Sequence, residues 1–133
     1  MSDQARDIPR IIFNISIALD AIVGKSHDEL EILDLGGGIG LFPICCAAYG
    51  MRRVSLVDDF GDPINHKVGP SILDIHKSLG VQVISRDIIK EGIQSVPGSF
   101  DIITTFDSME HWHGSPKGLF HEVIDKLKPG GAF

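Results

Sequence analysis

Cysteine is scarce in this chain of 133 residues: there are two, Cys45 and Cys46, and they are neighbours. Adjacent cysteines in a helical stretch point their side chains apart. The pair therefore predicts no mutual disulfide and a reducing compartment, by default the cytoplasm. Cationic clusters are missing too. Lys and Arg number 12 against 18 Asp and Glu, a net charge of −6, and no basic stripe marks a nucleic-acid footprint. No apolar run is long enough to span a bilayer, and the N-terminus lacks the basic start and small-residue cleavage site of a secretory signal. Neither nucleic acid nor membrane is an expected partner. Internal repeats and low-complexity linkers are also lacking. The composition is otherwise ordinary, with 43% hydrophobic and 23% charged residues, and the length suits a single domain over residues 1–133 with a buried core. Such a balance points to a small-molecule site.

Apolar periodicity then orders the chain. Ile12, Ile15, Leu19 and Ile22 recur at spacings of three and four, which predicts an N-terminal helix over about 8–23, opened by Asp7 and Pro9 and closed by Gly24 and Lys25. A buried strand is expected at 30–35, a helix at 40–49 closed by Gly50, and a second strand from Val54 to Val57 ending at Asp58 and Asp59. A long polar loop, a helix from Gly69-Pro70-Ser71 to Gly80, and a third strand from Val81 to Ile84 follow. Phe100 to Thr105 reads as a fourth strand, Ser115-Pro116 as a helix start, and Gly130-Gly131 as the stop after that helix. Strands alternating with helices predict an α/β fold: a Rossmann-like, doubly wound parallel sheet with helices on both faces. Its ligand site is then expected outside the carboxyl ends of the strands.

The most informative run is Glu31-Ile32-Leu33-Asp34-Leu35-Gly36-Gly37-Gly38-Ile39-Gly40, an apolar strand breaking into a glycine turn with one acid just before it. Glycines let the backbone approach a ligand closely, and the following helix offers free N–H groups at its start. Two familiar spacings fail. In the dinucleotide pattern G-x-G-x-x-G, the sixth position is Leu41 counted from Gly36 and Pro43 counted from Gly38. A phosphate-cradling loop needs Gly-Lys-Ser/Thr, but Gly40 precedes Leu41 and Phe42.

The spacing that fits is D-x-G-x-G-x-G, read as Asp34, Gly36, Gly38 and Gly40, with Gly37 between them. It resembles motif I of the class I S-adenosylmethionine-dependent methyltransferases. The segment Ser99 to Trp112, with its Glu110-His111 pair, and the later Lys128-Pro129-Gly130-Gly131 turn are similar to that family's fourth strand and its K-P-G-G element. The resemblance covers about residues 30–133 and implies S-adenosyl-L-methionine as cofactor. On that basis Asp34 and the glycine amides would hold the ammonium and carboxylate of its methionine end. Asp58, with Asp59 as rival, would take the ribose hydroxyls. Asp87 would face the adenine amino group, Ile88 would border the ring, and Phe106 would join the contacts at the end of strand four.

The resemblance further implies methyl transfer to a small-molecule acceptor at oxygen, nitrogen or carbon. An in-line displacement depends largely on positioning, and an acceptor bearing a proton also needs a base. The loop after strand four offers Asp107, Glu110, His111 and His113, of which His111 is the expected catalytic residue. No Cys or carboxylate cluster accompanies the histidines, so no metal is expected. Trp112 is expected to pack rather than to stack with an acceptor. An N-P-P-Y-like motif is absent, which argues against nucleobase and glutamine acceptors. Two alternatives stay open: an aminopropyl transferase on the same scaffold, and a non-catalytic cofactor-binding or interaction module. The family continues beyond its K-P-G-G turn with a fifth strand and a strand hairpin. On that comparison C-terminal strands are expected to be missing here, leaving a sheet edge for pairing with a second copy of the chain. Cofactor binding is then expected to survive, with slow or absent turnover.

Overall fold

The computed structural model describes residues 3–61, 63–106 and 108–133, and side chains for all of these except 3–6 and 63–70. Five strands, β1 (Glu31–Leu35), β2 (Arg53–Asp58), β3 (Gln82–Ser85), β4 (Phe100–Thr104) and β5 (Leu127–Ala132), form one sheet in the order β3-β2-β1-β4-β5. Every pairing is parallel. The helices are α1 (Asp3–Asp20), α2 (Leu41–Tyr49), α3 (Pro63–Ser78), α4 (Ile88–Glu91) and α5 (Lys117–Lys126). The order reverses direction at β1, which has β2 on one side and β4 on the other. A crevice therefore opens at the carboxyl ends of these strands.

Both sheet faces are covered, and period-two alternation assigns each strand residue to one of them. Ile32, Val54, Leu56 and Ile102 pack with Ile11 and Ile15 of α1 and Phe42 and Cys46 of α2. Leu33, Leu35, Val57 and Ile103 pack on the other face with Ile88, Ile93 and Val96, and with Leu119 and Val123 of α5. Asp34 shares the phase of Ile32. It therefore enters the first layer as a buried carboxylate among apolar side chains.

Several boundaries differ from the sequence expectation. Helix α1 begins at Asp3, ahead of Pro9, and stops at Asp20 instead of reaching Gly24. Proline lacks an N–H for the carbonyl four residues back, but a helix packed along one face tolerates the lost bond. The polar stretch before Gly69 is helical, since α3 starts at Pro63, a residue preset for a first helical position. Helix α4 follows β3 where the sequence suggested no element.

The largest correction is at the C-terminus, where a fifth strand is present instead of missing. Gly130-Gly131 does not stop a helix: α5 ends at Lys126 and β5 begins at once. Phe100 pairs with Leu127 and Ile102 with Ala132, so two steps along β4 match five along β5 and the Lys128–Gly131 turn bulges out. A Cβ on Gly131 would stand 2.9 Å from the Lys128 carbonyl and 3.0 Å from that of Asp101, so the turn requires glycine there. Lys128 ties this bulge to β4 through Asp101, 3.3 Å away, while Lys25 holds the same carboxylate at 2.6 Å. Strand β4 is thus paired on both sides, and the sheet edges are β3 and β5.

Candidate cofactor-binding site

The turn from β1 into α2 builds one wall of a cavity of about 630 Å³ at the carboxyl ends of the strands. Gly36, Gly38 and Gly40 all take left-handed φ angles, 67°, 59° and 73°, which explains the alternate-glycine spacing. Gly37 is small for a different reason: a Cβ there would lie 2.2 Å from Asp34 Oδ2 and 2.8 Å from Leu56 Cδ1. The turn is pinned on both sides. The Gly36 N–H donates to the Val57 carbonyl at 2.7 Å, and the Gly38 N–H donates to Asp58 Oδ2 at 2.8 Å.

Asp34 is 2% exposed, and its Oδ1 accepts the Thr104 hydroxyl proton at 2.7 Å from the neighbouring strand β4. Burial pushes its carboxyl up to about 7, the Thr104 hydrogen bond opposes the rise, and the negative charge of Asp58 adds to it. Asp58, 9% exposed at the end of β2, accepts from Gly38 through Oδ2 and from Phe60 N–H through Oδ1 at 2.6 Å. Burial raises its carboxyl also, against the opposing pull of those two backbone donors. Asp59 is exposed and turns back on its own loop, accepting from Gly61 N–H at 2.8 Å.

Asp34, Gly36, Gly37, Gly38, Asp58, Asp59, Asp87, Ile88, Phe106 and His111 all line the cavity, so residues far apart in sequence converge there. Gly40 does not. It caps α2 from behind, where a Cβ would strike the buried His76 ring at 2.3 Å. Asp87 is already engaged: Oδ1 caps α4 by accepting from Ile89 and Lys90 N–H at 3.1 Å each, and Oδ2 pairs with Lys90 at 2.9 Å. The Lys90 ammonium holds its carboxyl below the ordinary range. His111 closes a 3₁₀ turn, Met109–His111, with its side chain 79% exposed and Nε2 3.9 Å from Glu110. Asp107 lies outside the described residues.

Several cavity residues escaped the sequence reading. Asp7, Arg10, Ile11 and Asn14 line it from α1, and their spacing of three, one and three is the signal of a helix stripe facing a site. Ser108 lines it from the loop after β4 and accepts there through Oγ, at 3.0 Å, from Nε1–H of Trp112, a residue expected to pack that also lines the cavity. A Cβ on Gly36 would sit 2.2 Å from that same oxygen, so this loop rests directly on the glycine turn. Thr104 and His76 carry no local sequence signal at all. Among the described residues no three His, Cys, Asp or Glu side chains converge to hold a metal. No helix among them is long and apolar enough to cross a membrane.

Residues 13–133 match the family model described as a methyltransferase domain. The chain belongs to that family. This methyltransferase domain is 29% identical over 108 residues to the ribosomal protein L11 methyltransferase of Geotalea uraniireducens (strain Rf4), a match covering 81% of the chain and 31% of the relative. Its fold is similar to that of an S-adenosylmethionine-dependent methyltransferase from Thiobacillus denitrificans in complex with S-adenosyl-L-homocysteine. The TM-score is 0.61 at 19% identity, covering 92% of this chain and 46% of that one. Coclaurine N-methyltransferase bound to N-methylheliamine and S-adenosyl-L-homocysteine gives 0.67 at 17% identity, with 92% and 33% covered. The methyltransferase domain thus spans less than half the length of each of these three relatives.

Proposed function

We propose that this chain binds S-adenosyl-L-methionine and takes part in methyl transfer to a small-molecule acceptor. The observation that carries the reading is the pairing of a buried acid, Asp34, with a turn of three left-handed glycines beside a second acid, Asp58, at the end of the next strand. A zwitterionic amino-acid end suits an acid beside free backbone N–H groups, and a ribose diol suits a carboxylate with lone pairs to spare. A pyrophosphate would meet two carboxylates. The cofactor supplies an electrophilic methyl on a sulfonium. Asp34 and the glycine amides would hold its amino-acid end and Asp58 its ribose.

The acceptor half of the cavity is assigned to the space between α1 and the loop after β4, with Trp112 as an apolar wall, Phe106 on the cofactor side and His111 at its mouth. A cavity of this size falls in the range of small-molecule sites, roughly 300–1,000 Å³. His111 is assigned as the base that takes the acceptor proton. Its exposure fits a group that hands that proton on to bulk water between turnovers. The name of the Geotalea relative favours a second reading, a protein acceptor. Release of S-adenosylhomocysteine is the test, run against small hydroxyl and amine acceptors and against ribosomal protein fractions. Turnover on a small acceptor that falls at least about tenfold in His111→Gln supports the assignment. Turnover on protein alone would overturn it.

A further inference from the structure

Arg86 follows β3 directly and lines the cavity between Asp58, Asp59 and Asp87. Its backbone N–H is used, donating to the Asp58 carbonyl at 2.9 Å. Its guanidinium has no partner among the described residues. Nε is buried without a hydrogen bond there, and no carboxylate among them stands within ion-pairing distance of it, although five acids, Asp7, Asp34, Asp58, Asp59 and Asp87, line the same cavity. A guanidinium offers five donors in a rigid plane, and a buried polar group left unmet destabilises the fold, so such a group in a ligand cavity marks a contact that the ligand completes.

The neighbours say which part of the ligand. The register of the sheet sets Ser85 beside Asp58, so Arg86 sits one step beyond the acid assigned to the ribose, on the side leading to Asp87 and Ile88. That is the base end of the cofactor as read above. Asp87, the residue expected to meet the adenine amino group, has one oxygen capping α4 and the other on Lys90. Ring nitrogens of a purine are acceptors, which a carboxylate cannot satisfy and a guanidinium can.

We infer that Arg86 is an adenine-binding residue, donating from its guanidinium to a ring nitrogen of the base. This rests on the cofactor reading, and the two are separable. Titration calorimetry on the full chain would compare 5′-methylthioadenosine with its 1-deaza, 3-deaza and 7-deaza forms, in the unaltered protein, Arg86→Met and Arg86→Lys. At least one deaza form is expected to bind about tenfold more weakly than the parent in the unaltered chain, a loss that vanishes in Arg86→Met and is partly kept in Arg86→Lys. If no analogue's loss depends on Arg86, or if Arg86→Met leaves the parent's affinity unchanged, the inference is overturned while binding of S-adenosylhomocysteine still upholds the cofactor. Failure of the unaltered chain to bind either ligand would overturn both.

Discussion

Thr104 donates its hydroxyl proton to Asp34 across 2.7 Å inside the protein, and this bond joins β4 to β1 at the level where the glycine turn begins. It partly offsets the cost of a carboxylate that folding removes from water. Burial keeps this acid protonated up to about pH 7, and on the proposed reading the cofactor's ammonium would be the charge that ionises it.

Stability should therefore depend on pH through Asp34. The unfolded chain ionises this group near 3.8 and the folded chain near 7, so the fold holds the extra proton between those values. Its stability falls as pH rises across that window and stays low above it. Asp34→Asn should abolish the effect, raising unfolding free energy by about 1–3 kcal/mol at pH 8 and by little near pH 4. The same variant should bind S-adenosylhomocysteine at least about tenfold more weakly, because it loses the charge partner of the ammonium. Urea unfolding at several pH values checks the first half; a pH-independent difference between the two proteins would contradict it.

Asp58 should matter more than Asp59, and for two reasons at once. Asp58→Ala removes the proposed ribose acceptor and also leaves the Gly38 and Phe60 N–H groups without their acceptor. Binding of S-adenosylhomocysteine should weaken by about 1.5–3 kcal/mol and the fold by about 1–2 kcal/mol. Asp59→Ala, which frees the Gly61 N–H in an exposed loop, should change both by less than about 0.5 kcal/mol. Larger losses in Asp59→Ala would move the ribose contact to that residue.

Gly37→Ala separates space from backbone conformation. This glycine has an ordinary φ, so its only obstacle is the contact with Asp34 and Leu56. The substitution should displace the Asp34 carboxylate, cost about 1–3 kcal/mol, and remove measurable cofactor binding. Gly114→Ala, at positive φ with open space around it, should cost about 1 kcal/mol and leave binding intact. Equal binding by both variants would mean that the Asp34 position is not critical.

Much of this site was legible because its chemistry is local. Acid, strand and glycine turn sit within Glu31–Gly40, and hydrophobic alternation alone placed β1, β2 and β4 within a residue or two. Long-range features were not legible. Nothing around Thr104 announces that its hydroxyl meets Asp34, since the partnership depends on the register of β1 against β4. Arg86 has no sequence signal of its own, because its place near Asp58 comes from the register of β2 against β3. The Lys128–Gly131 turn read as a helix stop because its glycines signal one locally, whereas pairing with β4 turns the same residues into a bulged strand. Asp87, expected to face the adenine amino group, has its oxygens engaged at the start of α4, an arrangement that depends on a helix the sequence did not announce.

The central claim is that the cavity is shaped for an S-adenosyl cofactor and not for a dinucleotide or a nucleoside triphosphate. Titration calorimetry at pH 8 with S-adenosylhomocysteine, S-adenosylmethionine, NAD and ATP tests it most directly. The account predicts saturable, one-to-one binding of both S-adenosyl compounds and no heat from NAD or ATP. Saturable binding of NAD with no response to S-adenosylhomocysteine would contradict it.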